Sequence, residues 1–292
     1  MKKFFIIAIS IMMLCAVGFL TVGCNNTDTD EINVYSREPG SGTRSAFIEL
    51  TGVEEKDADG NKVDKTFSGA AITDKTNVML SSVSGDKRGI GYVSLGSLND
   101  SVKAVSVAGV VASAATVKDG TYKLARPFNV AYKADNAKDT LADFIIYLAS
   151  AQAQEIIGDN GYVSVKDNAP QYVAPETAPS ASIVIGGSSS VSPLMEKLIE
   201  NYCSLSGVAI AKIELQTLDS TAGMTNAISG TYDLGMASRA LKENEAAQLE
   251  SFVLAQDGIA VIVHKDNALD NLTIEQIRQI FTGEIRNWAD VA

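Results

Sequence analysis

Histidine is almost missing from this chain: one in 292 residues, alongside one tryptophan, three cysteines and six prolines. The one histidine, His264, ends the apolar run "GIAVIVHK" with no nucleophile motif near it, and reads as a structural or surface residue. There is no G-x-S-x-G elbow and no G-x-x-x-x-G-K-[ST] phosphate loop. Carboxylates are plentiful, but none stands in a spacing that marks an acid/base pair. Catalysis therefore has no anchor in the sequence, and binding without turnover is the simpler reading. Cys15 and Cys24 belong to the N-terminal segment, so Cys203 is left alone, without a disulfide partner or a metal-type cysteine spacing. Basic charge is also scarce, with 24 Lys and Arg against 35 Asp and Glu for a formal charge of −11. That balance argues against nucleic-acid binding, which needs a basic footprint. The acidic stretch "DADGNKVD" (57–64) lacks the sixth-position Gly and twelfth-position Glu of a calcium loop; it reads as a solvated turn. No cofactor or metal is expected.

The chain opens "MKKFFIIAISIMMLCAVGFLTVGC", with a basic Lys2–Lys3 start and an apolar run from Phe4 to Leu20. This predicts a removed secretory signal over residues 1–23. Gly23 before Cys24 fits a lipid-modification site at Cys24, although Thr21 stands where such sites usually carry Leu. Residues 24–31 would then be a polar, lipid-anchored tether, which puts the protein outside the cytoplasm on the cell membrane. A retained membrane helix is the alternative, since the uncharged stretch is long enough to span. Losing Lys2 and Lys3 moves the formal charge from −11 to −13.

Strand-like and helix-like segments alternate through the remainder, which predicts an α/β fold. Strands are expected at 32–36, 88–95, 102–107, 126–134 and along "GIAVIVHK", and a helix at 44–50. The apolar spacing of Leu141, Phe144, Ile145, Leu148, Ile156 and Ile157 predicts one amphipathic helix ending at Gly158 or Gly161. Residues 166–182 hold three of the six prolines and read as an extended linker. Four segments then share one design, a strand end followed by Ser, Thr and Gly and a helix start: "SREPGSGTR" (36–44), "GGSSSVSP" (186–193), "DSTAGM" (219–224) and "GMASRA" (235–240). Helix N-termini present unpaired N–H groups and the positive end of the helix dipole, and small hydroxyl residues add donors without blocking approach. One such segment is ordinary capping. Four together, with Arg37 beside the first, point to an oxyanion site.

"SREPGSGTRSAF", "GGSSSVSPLMEKLIENY", "GTYDLGMASRALKENE", "DGIAVIVHKDN" and "LTIEQIRQIFTGEIRNWADV" resemble the phosphate-binding lipoproteins of bacterial ABC importers. The resemblance covers nearly all of 32–165 and 182–291. It implies a two-lobed type II periplasmic-binding fold that closes on one phosphate and serves a membrane permease. The order of the blocks differs: in the family the "GGSSSVSP" half comes first, and "NWADV" runs straight into "SREPGSGTR". A circular permutation is therefore expected, with one split lobe from 32–123 plus 266–292 and one continuous lobe over 124–265. Carried over by motif, the ligand residues are Arg37, Ser41, Gly42 and Thr43 on the split lobe. Ser189, Ser190, Ser220, Ser238 and Arg239 come from the continuous lobe. Some family members carry an aspartate where this chain has Arg239, so Asp219, Asp257 and Glu38 become candidate acceptors for a phosphate proton. The ligand expected from the resemblance is inorganic phosphate or another tetrahedral oxyanion such as sulfate, molybdate or tungstate. A transport receptor or a non-transport sensor is expected, and a monomer unless 266–292 swaps into a neighbour.

Overall fold

The computed structural model describes residues 30–291. The expected signal segment, Cys24 and most of the tether lie outside the described residues. Among the described residues, no helix is long and apolar enough to cross a membrane. The first part of the chain runs β1 (Asn33–Arg37), α1 (Gly42–Thr51), β2 (Glu54–Lys56), β3 (Lys62–Asp64), β4 (Ala71–Thr73), α2 (Thr76–Ser84), β5 (Gly89–Ser94), β6 (Val102–Val107), α3 (Ala114–Lys118) and β7 (Ala125–Tyr132). Then follow α4 (Asp139–Leu148), α5 (Ala151–Asp159), β8 (Ile183–Ser188), α6 (Ser192–Ser206), β9 (Ile213–Leu218), α7 (Ser220–Ser229) and β10 (Leu234–Ala237). The last elements are α8 (Glu243–Ala246), β11 (Glu250–His264), β12 (Asn271–Leu272) and α9 (Ile274–Thr282).

The fold is α/β, as the alternation predicts. One curled sheet runs β4-β1-β5-β11-β7-β10-β8-β9, with β6 pairing β11 and β12. β11 is its spine. Its first part pairs antiparallel with β7 as far as Gly258, and its second pairs with β5 from Ile259 and β6 from Val261. The run "GIAVIVH" is buried throughout, because both faces of that stretch are covered.

Two main hydrophobic cores flank this spine. One gathers Ile32, Phe47, Tyr92 and Leu124 with Ile259, Ile277 and Phe281 from the far end of the sequence. The other gathers Phe128, Phe144, Tyr202 and Leu254. β7 and β11 pass from one core to the other, between Leu124 and Phe128 and between Ala255 and Ile259.

The single helix expected over 139–161 is two helices, α4 and α5. Ser150 breaks it: its backbone turns extended, and its side chain accepts a hydrogen bond from the Ala153 N–H as a new N-cap. The Ala151 N–H is turned outward to the Pro170 carbonyl at 2.8 Å, so the break is tied to the segment 166–182. That segment has no helix or strand, yet it is pinned. Tyr172 is buried and donates to Asp143 at 2.7 Å. The Ser180 and Ala181 N–H groups both bond Asp139 at 3.0 Å, holding its carboxyl down at about 2. Helix α2 was not expected from the sequence.

Candidate functional site

The four Ser/Thr/Gly segments meet in one place. Arg37 ends β1 and is 2% exposed. Its backbone is set from the core: the Arg37 N–H donates to the Tyr92 hydroxyl at 3.0 Å, and Tyr92 stacks on Phe47 with ring centroids 3.9 Å apart. Burial pushes the Tyr92 hydroxyl pKa up, so it stays a neutral partner. Arg44, one turn into α1, donates to the Arg37 carbonyl at 2.6 Å and is held by Asp64 at 2.7 Å. The Arg37 guanidinium lies in a fork with Glu38, both bonds 2.8 Å. It also reaches Ser189 Oγ at 3.0 Å and Thr76 Oγ1 at 3.4 Å.

Ser41 caps α1 by accepting from the Arg44 N–H, which leaves Gly42 and Thr43 as the first helical residues. Thr43 Oγ1 lies 2.8 Å from Ser190 Oγ. Gly42 is glycine because the opposing loop is too close for anything larger. A Cβ there would sit 2.3 Å from Ser220 Oγ and 2.8 Å from Ser238 Oγ. The Gly40 carbonyl accepts from the Thr221 N–H at 3.3 Å and from Thr221 Oγ1 at 3.2 Å. On the far side the Ser238 N–H donates to Ser220 Oγ at 3.0 Å, and Ser188 Oγ donates to Ser238 Oγ at 2.9 Å.

The first turns of α1, α2, α6 and α7 thus converge, with Ser41, Thr43, Thr76, Ser189, Ser190, Ser220 and Ser238 all buried. Each first turn carries backbone N–H groups without intrahelical partners and the positive end of its dipole. Arginine plus hydroxyl and amide donors, in a setting shielded from water, is a constellation for a small oxyanion. Beside Ser189 and Thr76 a cleft of about 370 Å³ opens to the surface, lined also by Lys75, Asn77, Ser192 and Glu196.

Eight of the nine expected ligand residues come together here. Arg239 does not bring its charge to them: its guanidinium makes two 2.8 Å bonds to buried Glu245. Of the candidate acids, Glu38 is paired with Arg37. Asp219 caps α7 by accepting from the Ala222 N–H at 2.8 Å and packs against Gly40. Asp257 is buried with Arg126. Sequence reasoning missed Thr76, Ser188 and the supporting pair Tyr92 and Arg44. The signal for Thr76 was present, a threonine before Val78, Met79 and Val83 at helical spacing. Tyr92 and Arg44 had none, since their roles depend on the packing of β5 and α1 beneath the loop.

A family model described as "PBP superfamily domain" matches residues 173–292. The chain is 44% identical over its whole length to "Phosphate-binding protein PstS 2" of Streptococcus agalactiae serotype V, covering 98% of that protein. A crystal structure of a phosphate ABC transporter phosphate-binding protein from Streptococcus pneumoniae TIGR4 is 39% identical. It aligns over 90% of this chain and 100% of its own, with a TM-score of 0.70. "Phosphate-binding protein PstS" of Staphylococcus saprophyticus is 35% identical over 113 residues only, 36% of this chain and 35% of that protein.

Proposed function

The chain belongs to the family of phosphate-binding PstS proteins, and from that membership we propose that it is an extracytoplasmic receptor for inorganic phosphate. It closes two lobes of a type II periplasmic-binding fold around one ion and delivers it to an ABC permease. The observation that carries this reading is the convergence of Arg37 with hydroxyls contributed by both cores. Arg37 neutralises the anion, with Ser41, Gly42, Thr43 and Thr76 on one side. Ser189, Ser190, Ser220 and Ser238 complete the shell from the other. Because donors come from both sides, phosphate binds the closed arrangement better than the open one and shifts the population toward it. The Arg239 guanidinium, engaged by Glu245, is left out of the shell. Glu38 beside Arg37 and Asp219 beside Gly40 border the donors and are the candidate acceptors of a phosphate proton. A formal charge of −13 after signal removal does not oppose this, since surface charges beyond a Debye length of about 8 Å are screened.

The lobes follow the two cores: 32–123 with 266–292, and 124–265. We propose that the order of blocks is a circular permutation of that in relatives such as the Staphylococcus protein, an order this chain shares with the Streptococcus agalactiae protein it matches end to end. Two things support it: the collinear match to the Staphylococcus protein is confined to about a third of each chain, and residues 30–32 lie against 286–289. There the Ile32 N–H donates to the Arg286 carbonyl at 2.7 Å, and the Trp288 N–H to the Asp30 carbonyl at 2.8 Å. Cys24 carries the lipid anchor, which labelling with a radioactive fatty acid tests against Cys24→Ser.

Calorimetric titration of refolded, phosphate-stripped protein with phosphate, sulfate and molybdate tests the binding claim. Tight phosphate binding with at most weak sulfate binding is expected, and equal affinity for sulfate sinks it. Crosslinking in the native membrane tests the transport half. Capture of permease subunits supports delivery, and phosphate binding without them makes the protein a sensor.

A further inference from the structure

Arg126 and Asp257 form a buried ion pair that the ligand shell does not use. They face each other across β7 and β11 in antiparallel register, which puts their side chains on one face. Their side chains are 1% and 0% exposed, and Arg126 donates to Asp257 Oδ2 from Nε at 3.2 Å and from Nη2 at 3.0 Å. The pair lies where both strands pass between the cores, so any change in the angle between lobes bends the backbone that carries it.

The remaining guanidinium nitrogen links this crossing to the ligand loops. Arg126 Nη1 donates to the Ser238 carbonyl at 3.1 Å. Asn129, further along β7, donates to the Arg239 carbonyl at 2.8 Å. The turn that offers Ser238 to the site is thus suspended from β7 by two side chains, and Ser238 in turn contacts Ser220 and Ser188. Asp257 Oδ1 has no hydrogen-bond partner, nor do the buried hydroxyl oxygens of Ser94, Ser97 and Tyr162. Ser94 lies beside both Asp257 and Tyr162 without closing a well-formed bond. A buried carboxylate whose one charged partner is Arg126, with the Gly96 N–H beside it, depends chiefly on that arginine for its charge to persist.

We infer that Arg126 and Asp257 are positioning residues for the oxyanion site: ionised Asp257 orients the guanidinium, and the guanidinium holds the Ser238 turn among the donors. The inference rests on the phosphate-receptor reading. When Asp257 is neutral, Arg126 loses its fixed orientation, the Ser238 turn loses one of its two tethers, and affinity falls. The groups facing the pair are Arg126 from β7, Tyr162 from the segment after α5, and Tyr122 from the segment before β7; the charge of Arg37 acts on Arg126. Burial pushes the Asp257 carboxyl up against the opposing pull of Arg126. The switch therefore lies above the usual carboxylate range.

The test uses the full chain in detergent, stripped of phosphate, with inorganic phosphate as probe. Affinities of the native protein, Asp257→Asn, Asp257→Glu, Arg126→Lys and the double variant Arg126→Met/Asp257→Asn are measured from about pH 8 to about pH 5. Melting temperatures are recorded alongside. The ratio of Asp257→Asn to native affinity cancels the titration of phosphate itself. At the alkaline end the Asn variant is expected to bind at least about tenfold more weakly. The ratio should close toward one as pH falls, Glu should restore part of the affinity, and the double variant should be no weaker than the weaker single one. Arg126→Lys keeps the charge and loses the fork, so it should fold like the native protein yet bind several-fold more weakly. An Asn variant, or a folded Lys variant, that binds like the native protein with an unchanged pH profile overturns the inference, as does additive loss in the double variant. If the native protein itself fails to bind phosphate, the receptor reading is what fails.

Discussion

Arg37 and Arg239 separate two uses of a buried arginine. Arg37 aims its guanidinium at Thr76 on its own side and at Ser189 on the other, while Arg239 is locked to Glu245. Arg37→Met should therefore cost about 3 kcal/mol of phosphate binding, roughly a hundredfold in Kd by calorimetry, with little change in melting temperature. Arg239→Met should do the reverse: it leaves Glu245 buried and unpaired, a loss of about 3–5 kcal/mol in stability, with affinity within about threefold. Equal effects on binding from the two substitutions would contradict this division. Burial raises the Glu245 carboxyl, but the Arg239 bonds and the Lys242 N–H outweigh it and leave it below its ordinary 4.5. A depressed carboxylate stabilises the fold above its ordinary value and loses that contribution as pH falls through the lowered one. Urea unfolding of native and Arg239→Met protein should differ most near neutrality and converge in acid as pH falls through the lowered Glu245 value.

Among the elements, the approach of α7 to the sheet decides where its N-terminus points. Gly223 on α7 packs over Gly187 and Met236 of β8 and β10. A Cβ on Gly223 would stand 2.7 Å from the Met236 carbonyl oxygen and 2.8 Å from the Gly187 Cα, both backbone atoms that cannot swing away. Gly187 adds a φ of +136°, which favours glycine. Gly223→Ala should push α7 outward and carry Ser220 off the site. About 2 kcal/mol of overpacking in a chain of this length lowers the melting temperature by about 4–8 °C, and phosphate affinity should fall with it. An alanine variant with native melting and native affinity would remove α7 packing as the determinant. The split between α4 and α5 has the same origin in contact: Ser150 ends one helix because the linker offers Pro170 as an acceptor.

For the whole molecule, the neighbouring ends make the permutation testable. Joining Val291 to Ile32 through about six small residues, which reach roughly 20 Å, and opening the chain between exposed Glu176 and Thr177 reverses the proposed permutation. Tyr172 keeps its place in the second core. This rearranged chain should fold with an unchanged circular dichroism spectrum and bind phosphate within about threefold of native. Failure to fold would mean that 166–182 must be continuous. Light scattering should give a monomer mass. A dimer would point to exchange of α9, whose Ile277, Ile280 and Phe281 fill the first core beside Phe47.

The α/β class, the linker and the convergence of eight of the nine candidate site residues were legible in the residues, because small hydroxyl residues before an apolar helical stripe have a local cause that spacing alone reveals. Contacts between distant segments were not. The Tyr92 and Arg44 props under Arg37, the diversion of Arg239 to Glu245, and the Arg126–Asp257 pair all join residues that sequence spacing does not relate. Which arginine reaches the hydroxyls of the opposite loops and which is turned away to Glu245 is set by where β1 and β10 end in the folded sheet. That position exists only once the two cores have packed.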